Sequence, residues 1–349
     1  MKVNKQYCGT TAKGDLYLIS LENEKGTSVE ILNYGAIIKS FKVKAADGKE
    51  VDIVLGFDNV DEYFSKEYLS NYPYFGAVIG RYANRVKGGK FKIDGKDYQI
   101  AQNQNGDCLH GGIEGFDKKV FEVIGYTALP NPTVTLRYIS SDGEEHFPGN
   151  LDLYITFELN NENELSYEFK ATTDAPTAVN ITHHSYFNLD GGATTIGEHL
   201  LTINADNYLE QDSNYVVTGN LIPIASTAHD FRTERTINRD MDPEEGYDQS
   251  FVIANPGGLA LAAKAKSKET GVQLNVFTTE PVVHLYCGKY IPEIKGKNGV
   301  KYGPFHAFCL ETQVHPNAIN IPSLPDTILR PGSVYSTRTV YKVSNGNQG

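Results

Sequence analysis

The sequence has no tryptophan and, in 349 residues, only two methionines and four cysteines. Cys8, Cys108, Cys287 and Cys309 make no CxxC pair and no short spacing, in a chain too long to need covalent stapling. They are expected to be free thiols, which excludes a zinc ribbon and a disulfide scaffold. Long apolar runs are also missing: nothing approaches the ~18 residues of a membrane span, and MKVNKQYCGTTAKGDLYLIS holds no apolar stretch of signal-peptide length. The expectation is a cytoplasmic protein with no membrane partner. Basic residues are outnumbered, 32 Lys and Arg against 43 Asp and Glu, for a net charge of −11. With no basic patch to offset that field, no nucleic-acid partner is expected. There is no GxGxxG after a strand, no GxxxxGK[ST], no GxSxG and no HExxH, so the common nucleotide, hydrolase and zinc-protease signatures are excluded.

What the chain does hold is strand material. Tyr (22) and Phe (16) make up the whole aromatic set, a mix suited to sheets with half-wet faces. Alternating or β-branched runs recur at Val29–Val43, Val51–Phe57, Phe91–Ile100, Phe121–Tyr126, Thr133–Ser140, Leu151–Leu159, Leu165–Thr172 and Ala178–Leu189. They continue at Leu200–Leu209, Gln273–Thr278, Val282–Tyr286, Phe305–Leu310 and Val334–Val343. Asp94-Gly95 between two short alternating runs predicts a hairpin. Asn59–Ser70 is the best helix candidate, amphipathic with an acidic start. No linker, repeat or composition shift divides the chain. The reading is all-β, one large antiparallel sandwich over residues 1–349.

Three of the nine histidines stand in polar or Gly-rich sequence that packing alone does not require: His110 in CLHGG, and His183 and His184 in NITHHSYFNLDGG. Neighbours on an extended segment face opposite ways, so only one of the pair can face a given cleft. Glu311 follows the apolar run Phe305–Leu310. A carboxyl at the end of a core strand is costly to ionise, and its raised pKa suits a general base. Asp248 in GYDQSF is similar, and Asn84-Arg85 in GRYANRVKGG sets a fork of donors beside glycines. Histidines and carboxylates lack short ligand spacing, and His306 and His315 lie nine apart around Glu311, so no metal is expected.

In chain order these segments resemble the aldose 1-epimerase (galactose mutarotase) family. The matching pieces are NYGA (33–36), VLGFD (54–58), GRYANRVKGGKF (80–91), LHGG and GFDK (109–118) and SDGEEHFPGNL (141–151). HSYFNL (184–189), GYDQSF (246–251), LETQVHPNAIN (310–320) and LRPGSVYSTRTVY (329–341) follow, spanning nearly the whole chain. The resemblance implies a supersandwich fold and a mutarotase that interconverts the α and β anomers of free hexoses such as galactose and glucose, without a cofactor. It implies His184 as general acid and Glu311 as general base. Asn84, Arg85, His110, Ser185, Tyr186 and Asp248 are implied around a small aldose substrate. Three residues depart from the family pattern: His284, where many members carry Gln near the sugar, His183, where Asn is frequent, and His146, where a small residue is common. His284 is accordingly placed among the substrate-binding residues. A hexose-6-phosphate mutarotase and a non-catalytic carbohydrate-binding protein of the same fold are the alternatives, and a monomer or homodimer is expected.

Overall fold

Strand Leu151–Leu159 is buried and partly exposed in strict alternation along its length, the two-residue period of a strand with one face on a core. It belongs to a nine-stranded sheet whose order is Glu122–Thr127, Thr133–Ser140, Leu151–Leu159, Glu164–Thr173, Tyr335–Asn345, Val272–Thr278, Ala260–Lys266, Leu200–Ile203 and Arg235–Thr236. The computed structural model describes residues 1–254 and 257–345. The last strand lies between Glu164–Thr173 and Val272–Thr278, so strands from both halves of the chain share one sheet.

Two five-stranded sheets pack with it, and five two-stranded ribbons accompany them among the described residues. One five-stranded sheet is formed in chain order by Lys2–Thr11, Gly14–Glu22, Ser28–Leu32, Ile37–Lys44 and Glu50–Asp52. The other runs Val217–Pro223, Ala205–Gln211, Asp248–Ile253, Val282–Tyr286 and Cys309–Gln313. A common core of Ile, Leu, Val and Phe side chains, including Ile38, Phe41, Leu153, Ile155, Leu201, Leu274, Val283 and Leu310, joins all three large sheets. The fold is all-β and antiparallel, a large sandwich. No described helix is long and apolar enough to cross a membrane.

The Asp94-Gly95 turn forms as expected between Lys90–Ile93 and Lys96–Gln99, with φ of 52° and 81°, the double positive φ of a two-residue hairpin. Other boundaries differ from expectation. Asn59–Ser70 is a 3₁₀ turn over Val60–Phe64 followed by a single α-helical turn over Lys66–Ser70. Ser65 divides them, because its extended backbone starts the second piece as N-cap, its Oγ accepting the Tyr68 N–H. Ala178–Leu189 is no continuous strand: it pairs at Thr177–Ala178 and Thr182–His183, and otherwise through single bridges of Asn180 to Tyr82 and of Phe187 to Val54 and Phe308. Phe305–Leu310 is also corrected. The strand is Cys309–Gln313, which puts Glu311 in mid-strand.

Candidate active site

Three adjacent strands bring polar groups to one wall of a cavity of about 420 Å³, a volume typical of small-ligand sites. His284 pairs across the ladder with Glu311 on one side and Ser250 on the other, and Asp248 is two residues before Ser250. The 182–189 segment supplies His184 and Tyr186, turns supply Asn84 and His110, and the short strand Arg85–Val86, paired with Cys108–Leu109, supplies Arg85. Asn84 (φ 59°) and His110 (φ 54°) both sit in the left-handed region. They hold each other there: the His110 N–H donates to the Asn84 carbonyl at 3.0 Å, and the Asn84 N–H to His110 Nδ1 at 3.2 Å. Gly111 (φ +84°) packs so tightly on the Gly80 carbonyl that a Cβ would lie 2.1 Å from its oxygen. The LHGG turn therefore seats His110 against the Gly80–Arg85 segment.

His184 Nε2 lies 3.6 Å from Glu311 Oε1, with both side chains almost fully buried. The two are shifted in opposite senses. Burial pushes the Glu311 carboxyl up to about 7, and its Oε2 has no hydrogen-bond partner. Burial drives His184 down to about 3, with His284 adding to the effect. His184 is thus a neutral ring facing a carboxyl that holds the more basic site. Asp248 goes the other way: burial pushes it up, but the hydrogen bond and charge of His284 more than offset this and hold it below its ordinary value. Two carboxyls in one cavity are kept in different protonation states.

One ring nitrogen each of His110 and His184 and one Glu311 oxygen all lie within 4.8 Å of one another, a cluster that their sequence separation concealed. It makes a poor metal cradle. His110 Nδ1 accepts the Asn84 N–H, which leaves the ring hydrogen on Nε2 and makes the free nitrogen a donor rather than a ligand.

A β-sandwich with a buried imidazole–carboxyl pair inside a ring of hydrogen-bonding groups narrows the chemistry, and comparison with known proteins completes it. The family model for aldose 1-epimerase matches residues 17–342. The chain belongs to the aldose 1-epimerase family. It is 39% identical over 320 residues to a galactose mutarotase of Homo sapiens, covering 90% of this chain and 91% of that one. It is 33% identical over 334 residues to an aldose 1-epimerase of Escherichia coli (strain K12), covering 93% and 94%. Among solved structures, a galactose 1-epimerase from Lactobacillus acidophilus NCFM superposes with a TM-score of 0.86 at 28% identity, covering 99% of both chains.

Within this family framework the residues named from sequence divide. Asn84, Arg85, His110, His184, Tyr186, Asp248, His284 and Glu311 all line the cavity. Ser185 does not. It alternates with His184 and Tyr186 on an extended segment, so its hydroxyl points the other way, to His183 Nδ1 at 3.0 Å. His284 lines the wall, but both ring nitrogens are engaged, Nε2 with Asp248 Oδ1 at 2.7 Å and Nδ1 with Ser250 Oγ at 2.9 Å. It is built to orient Asp248 more than to meet a ligand. Arg85 is steadied by Gln104 Oε1 at 3.0 Å and by the Tyr215 ring at 5.1 Å.

Of the aromatic lining, sequence reasoning named Tyr186 and missed the rest. Tyr186 lies near-parallel to the His184 ring at 4.9 Å, and Tyr74 lies near-parallel to it at 5.9 Å. Tyr72, Tyr286 and Tyr290 complete the rim. The only signal was NYPYFG (71–76), two tyrosines around a proline and before a glycine, a pattern that reads as a turn and not as a strand.

Proposed function

We propose that this chain is an aldose 1-epimerase that interconverts α and β anomers of free hexoses such as galactose and glucose, with His184 and Glu311 moving the protons. The observation that carries the reading is the pair itself, an imidazole and a carboxyl 3.6 Å apart, both buried. Ring opening needs a proton delivered to the ring oxygen while one leaves the C1 hydroxyl. The pair does this as a unit holding one proton. At rest that proton sits on Glu311; once it has shifted to His184, Nε2 donates to the ring oxygen and the Glu311 carboxylate accepts from the C1 hydroxyl, leaving the proton again on Glu311. After rotation about C1–C2 the aldehyde oxygen takes that proton back, and Nε2 recovers one from the C5 hydroxyl as the ring closes on the other face. Each proton transfer is worth about 10²–10⁴-fold. Asn84, Arg85, His110 and Asp248 hold hydroxyls, and the tyrosines offer faces to the sugar C–H groups.

Arg85 is the one Lys or Arg side chain among the described cavity-lining residues, and the Asp248 carboxylate shares the wall with it. That favours free sugars over hexose 6-phosphates. The buried acid–base pair, whose desolvation a purely binding protein has no reason to bear, favours an enzyme. The working unit we propose is a single domain over residues 1–349, cytoplasmic, as a monomer or homodimer. The shared nine-stranded sheet supports the single domain. Polarimetry on freshly dissolved α-galactose, α-glucose, α-xylose and glucose 6-phosphate tests the function. The three free sugars are expected to equilibrate well above the buffer rate, and rates equal to buffer for all of them contradict the proposal.

A further inference from the structure

His184 works through one nitrogen. In the mechanism proposed above, on which this inference rests, Nε2 gives up a proton and later takes one back. Nδ1 therefore has to keep its own hydrogen throughout, since a neutral ring that lost it would present a hydrogen at Nε2 and nothing to accept with. At Nδ1 lies the Sγ of Cys309, 3.3 Å away. The backbone carbonyl of His184, which accepts the Gly76 N–H at 3.1 Å, is a second acceptor beside the ring. Cys309 stands two residues before Glu311 on the same strand, so both side chains project from one face, one to each nitrogen of the imidazole.

We propose that Cys309 is a positioning residue for His184: its sulfur accepts the Nδ1–H, fixes Nε2 as the nitrogen that handles the proton, and, as a weak acceptor, leaves the charged ring a strong acid. A carboxylate in this place would stabilise the imidazolium and make the histidine a base. The thiol stays uncharged because burial pushes its pKa well above the ordinary value.

The test combines ¹⁵N NMR of histidine-labelled protein at pH 6, the His184 signals assigned by their loss in His184→Asn, with kcat and KM for wild type, Cys309→Ser and Cys309→Ala. The wild-type ring is expected as the Nδ1–H tautomer. Cys309→Ser keeps that tautomer, and its hydroxyl oxygen, a stronger acceptor, moves the imidazolium titration upward. Cys309→Ala mixes the tautomers and lowers kcat about 10-fold or more at unchanged KM. An Nε2–H wild-type ring overturns the proposal, as does a titration and kcat that neither substitution moves, or a loss confined to KM. Absence of wild-type mutarotation counts instead against the functional reading, whereas the tautomer reports on Cys309 alone.

Discussion

His183 and His184 are adjacent, both fully buried, and both driven by burial to about 3. Nothing in their titration separates them. His183 faces the core, its ring edge-on to Phe157 at 6.0 Å and tilted against Tyr167 at 5.4 Å, with Nδ1 on the Ser185 hydroxyl. His184 faces a cavity and a carboxyl. Glu280 and Glu311 make the same contrast, both carried up to about 7 by burial, but the Glu280 Oε1 accepts from the Tyr335 hydroxyl at 3.2 Å. A perturbed pKa marks desolvation. What marks a site is which group stands opposite and whether a ligand can come between.

The largest expected effect breaks the carboxyl half of this comparison. Glu311→Gln should lower kcat by about 10²–10⁴-fold, while Glu280→Gln leaves it within a few-fold. Initial rates on α-galactose check both. If Glu280→Gln falls as far, the distinction between the two sites is wrong.

The pH profile sharpens the comparison next. The His184–Glu311 unit carries its one proton below about 7, where Glu311 is protonated, and loses it above. Wild-type kcat/KM is expected to be flat under neutrality and to drop about tenfold per unit beyond it. A profile rising through pH 7 would contradict the one-proton unit.

His284→Ala removes the donor that holds Asp248 and leaves both Asp248 and Ser250 short of a partner. Loss of a hydrogen bond to a charged group costs about 1.5–3 kcal/mol, so KM should rise about tenfold or more with a smaller change in kcat. A fall in kcat alone would move His284 from positioning to chemistry.

The last effect is on stability. For Glu280 and Glu311 the folded pKa of about 7 exceeds the ordinary 4.5. The native state therefore binds more protons in that window, and the stability each carboxyl contributes is complete below about 4.5 and lost as pH rises through about 7. The loss is on the order of 3 kcal/mol per group. Denaturant midpoints between pH 5 and 8 should slope less in either Gln variant than in wild type, and an unchanged slope would contradict the buried-carboxyl account. Glu311→Gln should then combine higher stability at pH 8 with lost activity, the trade-off expected of a desolvated active-site acid.

Much of this was legible beforehand. Thr133–Ser140, Leu151–Leu159 and Val282–Tyr286 form over the residues their patterns predicted, because alternation and β-branching report directly on a strand with a core face. The motif order located the residues that line the cavity. The failures have physical causes. Ser185 sits inside a motif but on the wrong side of an extended segment. Val29–Val43 reads as one strand, yet left-handed Gly35 and Ala36 break it into Ser28–Leu32 and Ile37–Lys44. Apart from Tyr186, which its motif marked, the tyrosines around His184 were taken for sheet material because a ring stacked on an imidazole has no local signature. The low proton affinity of His184 arises from burial by residues distant in sequence, which no local pattern displays.

The most direct measurement compares the two neighbouring histidines. His183→Asn and His184→Asn are assayed side by side for α-galactose mutarotation, with thermal unfolding as the companion reading. His184→Asn should lose about 10²-fold or more in kcat and keep its fold. His183→Asn should keep its rate and lose about 1–3 kcal/mol of stability, the usual range for disturbing a buried, hydrogen-bonded side chain. Equal losses of activity in both, or full activity in His184→Asn, would contradict the claim that the group opposite the imidazole, and not its burial, makes the site.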